Sequence, residues 1–204
     1  MTNSGGGMAR IGRRAAVVVA LGVLPSIALV GTAVSAPTAC RGEAVTIVGT
    51  QGADVIRGTR GEDSIVALGG SDVIRGLGAK DEICAGPGSD RLVGGNGKDG
   101  LDGGGGADTL AGGARNDDLI GGAGRDILAG GAGPDQLRGG GAADTMRGGA
   151  TRDDMSGGPG SDHMMGMGGN DTMNGGIGRD DLNGGSGRDD CVSGEVLFRC
   201  ESGL

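Results

Sequence analysis

The sequence predicts an all-β solenoid in which two facing sheets of short parallel strands are wound from one repeating unit. Three observations carry this. A nine-residue register runs without interruption from Gly49 to Val192; Gly makes up 52 of 204 residues; and the chain has no Trp or Tyr and a single Phe, Phe198. Without aromatic side chains, apolar burial must be thin and repetitive. So much Gly leaves disorder, collagen, or a repeat with a backbone reason for each Gly. Collagen fails because Gly does not fall at every third residue. A flexible linker fails because it has no reason to hold Asp and an apolar residue in phase.

The first 36 residues read as an export signal. Arg10, Arg13 and Arg14 precede an uncharged stretch from Ala15 to Ala36 that ends in small residues suited to cleavage. A membrane anchor is the competing reading, since the stretch is close to the roughly 20 residues that span a bilayer. Pro25 and the absence of basic residues just after the stretch favour cleavage, which predicts no stable membrane insertion. The Arg13-Arg14 pair lacks the bulkier residues of a twin-Arg signal, and Pro37 spoils a lipobox at Cys40. Cleavage leaves 15 basic against 26 acidic residues, a net charge of −11 where the full chain has −8. This balance argues against a nucleic-acid partner and suits cations. Residues 37–48 then form an N-terminal cap strand around Thr46-Ile47-Val48.

Residues 49–192 hold 16 units of G-G-x-G-x-D-x-U-x, where U is an apolar residue, as in "GGGGADTLA" from Gly103 to Ala111. Asp fills the sixth position of every unit: Asp54, Asp63, Asp72, Asp81, Asp90, Asp99, Asp108, Asp117, Asp126, Asp135, Asp144, Asp153, Asp162, Asp171, Asp180 and Asp189. Gly fills the first position in 14 units, the second in 11 and the fourth in 12. The pattern resembles the RTX, or hemolysin-type calcium-binding, nonapeptide repeat family over 144 of the 168 residues of the cleaved chain. That resemblance implies a right-handed parallel β-roll.

Each unit is expected to divide into a six-residue turn and a three-residue x-U-x strand whose middle side chain faces one way and its neighbours the other. Two units make one turn, so 16 units make eight. The interior is then two apolar ladders. Odd units supply Ile56, Ile74, Leu92, Leu110, Leu128, Met146, Met164 and Leu182; even units supply Ile65, Ile83, Leu101, Leu119, Leu137, Met155, Met173 and Cys191. One such residue in nine is too little to offset the backbone entropy lost on winding.

The turns must supply the rest. Gly permits backbone conformations that aim carbonyl oxygens inward, and Asp adds a carboxylate. An oxygen-only set without His or thiolate suits a hard cation, and Ca²⁺ accepts six to eight such ligands with loose geometry, whereas Mg²⁺ wants a stricter octahedron. The resemblance implies Ca²⁺ between turns 18 residues apart, taken by pairs such as Asp54 with Asp72 and Asp63 with Asp81, with carbonyls from both loops. Eight loops on each edge set a ceiling of 14 ions. Fourteen divalent ions on a chain of −11 would leave about +17, which predicts partial occupancy. Ala79, Arg115, Ala142 and Thr151 replace the fourth-position Gly, and a Cβ there is expected to oppose the turn. Intact loops favour Asp90 with Asp108, Asp108 with Asp126, Asp162 with Asp180, and Asp171 with Asp189. Arg115 has two readings: a guanidinium standing in for an ion at Asp117, or an exposed side chain.

Four Cys in an exported chain predict two disulfides, for which three pairings exist. The favoured one joins Cys40 to Cys84, tying the cap strand to the fourth unit, and Cys191 to Cys200, closing the far end. Residues 193–204, with Phe198, then form a C-terminal cap over an otherwise exposed strand edge.

No enzyme is predicted. His163, the only His, falls at an outward strand position, and pairs such as Asp117-Asp118, Asp153-Asp154 and Asp180-Asp181 recur with the repeat, whereas catalysis needs one distinct pocket. The expected function is a secreted, extracellular protein that binds several Ca²⁺ ions and folds on binding them. The alternative is a structural or adhesive cell-surface module in which Ca²⁺ only rigidifies a rod, with an unidentified surface partner.

Overall fold

A computed structural model describes residues 39–192, together with the backbone of two short strands, Val18–Val19 and Phe198–Arg199. Among these residues there is no helix, and therefore none long and apolar enough to cross a membrane. The strands alternate between two sheets, one of ten strands and one of nine, and each repeat strand lies parallel to the strand 18 residues away, as Leu92 beside Leu110 and Leu101 beside Leu119. The chain is thus a parallel β-solenoid of about eight turns, as the register predicts.

The strands are longer than the sequence division implies. Arg91–Asn96, Thr109–Ala114 and Gln136–Gly141 each run six residues, through positions seven to nine of one unit and one to three of the next. The glycines make this possible. Gly95 and Gly113 at position two take φ of 120° and 118°, so the strand kinks at position one and resumes pairing at Gly95 opposite Gly113. A Cβ on Gly113 would lie 2.2 Å from the Gly95 carbonyl oxygen of the preceding turn. What remains between strands is a turn of three residues ending in Asp.

The interior consists of the two predicted ladders. Every eighth-position residue from Ile56 to Leu182 is fully buried, Cys191 is half-buried, and Ile47 extends the nine-stranded side by one rung, paired with Ile65. At the N-terminal end, the strands Ala39–Cys40 and Glu43–Ala44 form a hairpin on the outer face of the nine-stranded sheet. The expected Cys40 to Cys84 disulfide holds it there, with Cα atoms 5.9 Å apart. Cys191 is also disulfide-bonded; Cys200, its expected partner, lies outside the described residues.

At the far end, Phe198 stands in register with Leu182. A continued nine-residue register would have put Cys200 there, so the repeat ends with Val192. At the opposite edge Val18–Val19, within the expected export signal, pair antiparallel with Val55–Arg57.

Candidate metal centre

Both long edges of the solenoid are lined by the sixth-position carboxylates. Fifteen of the sixteen are buried, and Asp189, in the last unit, is partly exposed. They are linked along each edge with the predicted 18-residue spacing, through main chain to side chain. The N–H of Asp54 donates to Oδ1 of Asp72 at 2.8 Å and that of Asp63 to Oδ1 of Asp81 at 2.9 Å. The same bond recurs through Asp90, Asp108, Asp126, Asp144, Asp162 and Asp180 on one edge, and Asp99, Asp117, Asp135, Asp153, Asp171 and Asp189 on the other. One carboxylate oxygen therefore caps the start of the strand one turn back.

The other oxygen is left over. From Asp72 to Asp189, Oδ2 is buried without a hydrogen-bond partner in all fourteen residues. A buried carboxylate oxygen with no partner is costly, and the usual remedies are a proton or a cation. The space beside it suits a cation. A Cβ built on Gly94 would lie 2.5 Å from Asp99 Oδ2 and 2.8 Å from the Gly112 carbonyl oxygen; on Gly121, it would lie 2.5 Å from both Asp126 Oδ2 and the Gly139 carbonyl oxygen. Carboxylate and carbonyl oxygens from successive turns thus converge on a gap kept open by a glycine hydrogen. Among the described residues no three His, Cys, Asp or Glu side chains gather at one point, so carbonyls must complete any ligand set. Oxygen-only donors of this kind fit Ca²⁺.

The titration of these groups follows from their surroundings. Burial is the main cause and raises the carboxyls of Asp81, Asp117, Asp144 and Asp153 to about 7, and those of Asp99, Asp108 and Asp135 to about 6. The backbone N–H bond from the preceding turn pulls each of them back, and at Asp81, Asp108, Asp117, Asp144 and Asp153 neighbouring rung carboxylates add to the rise.

The turn substitutions behave differently from the sequence expectation. Ala79, Arg115 and Ala142 stay in the left-handed region, with φ of 68°, 85° and 79°, where fourth-position glycines such as Gly106 and Gly124 sit at 127°. The turn relaxes toward the left-handed well open to an L residue and does not open up. Thr151 has no positive φ, and neither have Gly52, Gly61, Gly88, Gly97 and Gly160 at the same position. Arg115 is exposed, so it does not stand in for an ion at Asp117.

The adjacent carboxylates are separated by the strand. Asp117, Asp153 and Asp180 point into the edge, while Asp118, Asp154 and Asp181 face outward. His163 is half-buried and paired with Asp181 at 3.0 Å.

Sequence reasoning missed two features. Thr50 and Thr59, at position two, donate to Asp54 and Asp63, and Arg41 reaches across the nine-stranded sheet to Glu82 and Asp118. The first was legible as Thr in a glycine slot. The second depends on where the hairpin folds.

A parallel solenoid whose edges stack buried, half-satisfied carboxylates against inward carbonyls defines a metal-binding repeat protein. The chain belongs to the RTX calcium-binding nonapeptide repeat family, whose pattern matches residues 48–83, 76–110, 85–119, 102–137, 120–155 and 156–191. No curated protein matches the chain.

Proposed function

We propose that this is a secreted calcium-binding repeat protein whose later turns wind as Ca²⁺ enters between them. The observation that carries the reading is the run of fourteen buried, unpartnered Oδ2 atoms beside carbonyl oxygens. Asp72, Asp81, Asp90, Asp99, Asp108, Asp117, Asp126, Asp135, Asp144, Asp153, Asp162, Asp171, Asp180 and Asp189 would hold the ions, in pairs 18 residues apart. Ca²⁺ would supply the positive charge that lets these carboxylates stay ionised while buried. Because the gaps do not exist in the unwound chain, binding energy becomes folding energy.

Occupancy is graded by what stands at position one. Ala67 and Ala85 put a methyl where the other units have a glycine hydrogen, narrowing the gaps beside Asp72 and Asp90. Of the intact loops this leaves Asp108 with Asp126, Asp162 with Asp180, and Asp171 with Asp189 as the most open. Far-ultraviolet circular dichroism during a Ca²⁺ titration at about pH 7.5, with a calorimetric ion count, tests the reading; a strand spectrum indifferent to chelator at that pH would refute it. Gly121→Ala fills one gap, and is expected to lower the calorimetric count by one or two ions while the loaded spectrum is retained. An unchanged count would mean that ions do not enter beside position one.

The rod reading draws on one observation. Arg57, Arg75 and Arg91 are exposed on the ten-stranded face, whose outward strand positions carry no acid before Asp181. Such a face suits an anionic cell surface. Pull-down from cell wall with and without Ca²⁺ separates the two readings, since retention by the wall at either ion level would favour the rod.

A further inference from the structure

The first two units satisfy their carboxylates without help. Oδ2 of Asp54 accepts from the N–H and hydroxyl of Thr50, at 2.6 and 3.0 Å, and Oδ2 of Asp63 from those of Thr59, at 2.6 and 3.1 Å. Each Thr hydroxyl oxygen also accepts from an N–H of its own turn, that of Gly52 at 3.2 Å and of Gly61 at 3.0 Å. In all fourteen later units the same Oδ2 is buried with no partner.

The cause lies in one residue type. Leu68, Leu77, Met167 and the glycines at position two take positive φ, which a β-branched residue avoids. Thr50 and Thr59 stay out of that region, and their N–H groups turn onto the carboxylate instead. Side-chain and backbone donors fill the place that elsewhere awaits a proton or an ion.

A second set of contacts fastens the first two turns from outside. Cys40 is bonded to Cys84, and Thr46 and Ser64 exchange bonds, with Thr46 N–H to the Ser64 carbonyl at 2.8 Å and Ser64 N–H to Thr46 Oγ1 at 2.9 Å. Arg41 Nε lies 3.0 Å from Glu82 Oε2, and its other end meets Asp118, two strands further along the sheet, where Arg138 also binds at 2.7 Å. Gly100, on the strand between, makes room: a Cβ there would lie 2.7 Å from Arg41 Nε. Lys80 ties Glu82 to Glu43 of the hairpin at 3.0 and 3.4 Å.

We infer that residues 39–84 form a cap already wound in the absence of Ca²⁺, its first turn satisfied by Thr50 and Thr59 and its second, which carries the unpartnered Oδ2 of Asp72 and Asp81, fastened by the hairpin and the Cys40 to Cys84 bond, and that the later turns are built on its edge as ions bind. The inference rests on the ion-winding reading above for those later turns. A turn added to a paired strand edge needs no new nucleus, so the cap lowers the Ca²⁺ needed to start winding. Asp54 and Asp63 then belong to the cap and take no ion of their own.

Hydrogen exchange on the oxidised full chain in chelator tests this with no metal present. The amides of Gly49, Asp54, Gly58 and Asp63, all bonded within the cap or to the next turn, are expected to exchange about tenfold or more slower than those of Gly106, Asp108, Gly124 and Asp126. Thr50→Gly with Thr59→Gly, which restores the repeat residue, is expected to abolish that protection and raise the Ca²⁺ midpoint about twofold or more. Thr50→Ser with Thr59→Ser keeps the hydroxyls and is expected to retain protection; Cys40→Ser with Cys84→Ser is expected to lose it. Early amides that exchange as fast as late ones in chelator, or a glycine pair without effect, would overturn the cap. Should the late amides stay fast even with Ca²⁺ while the early ones are protected, the cap stands and ion winding fails. Should Ca²⁺ protect both sets together from nothing, the cap fails and ion winding stands.

Discussion

In chelator at about pH 5 the chain is expected to show a strand spectrum that fades as the pH is raised to about 7.5 and returns when Ca²⁺ is added. The sign follows from the folded-state carboxyls, which burial raises to about 7 at Asp81, Asp117, Asp144 and Asp153 and about 6 at Asp99, Asp108 and Asp135. In the unwound chain such groups titrate near 3.9. Between these limits the wound state holds more protons than the unwound one, so stability falls with rising pH. The contribution is whole below about pH 4 and gone above about pH 7. It is repeated along both edges, so the loss is expected to be cooperative. Ca²⁺ is expected to take over where protons leave, with a midpoint that rises as the pH is lowered through this window. A chelator spectrum unchanged between about pH 5 and 7.5 would show that the buried carboxylates carry no such penalty.

Gly124→Val is expected to break the solenoid at its middle and to cost at least about 3 kcal/mol, with loss of the cooperative Ca²⁺ transition. Gly124 sits at φ 127°, and a Cβ on it would lie 1.9 Å from the Gly106 carbonyl oxygen one turn back. The chain contains its own controls. Ala79, Arg115 and Ala142 show that an unbranched side chain is tolerated at position four by moving to φ of 68° to 85°, so Gly124→Ala is expected to cost only about 1–2 kcal/mol. Thr151, the branched residue at this position, lies outside positive φ, a region that β-branched side chains avoid. Gly105→Ala, with nothing within 4 Å of its Cβ and no positive φ, is expected to stay within about 0.5 kcal/mol of the parent. Thermal melts in saturating Ca²⁺ rank the three; equal effects of Val and Ala would mean that backbone strain does not decide the turn.

Much of the architecture was legible because the repeat is locally redundant. Asp every nine residues, an apolar residue two positions later, and Gly before the turn predict the ladders, the 18-residue pairing and the buried edges, and each unit restates the others. The Cys40 to Cys84 bridge was legible from cysteine number and the position of the fourth unit, as one of three pairings.

Residue order alone determined that this chain winds, since periodicity sets which side chains face in and which backbone groups lie beside each other. Tertiary structure alone decided which oxygen of each Asp is taken by a neighbouring turn: Oδ1 meets the strand one turn back, while Oδ2, held by a Thr of the same unit in the first two units, has no partner thereafter. It also decided that Arg41 bridges Glu82 and Asp118 over Gly100. The Oδ1 and Arg41 contacts join residues 18 or more apart in sequence, and their geometry exists only once neighbouring turns have stacked.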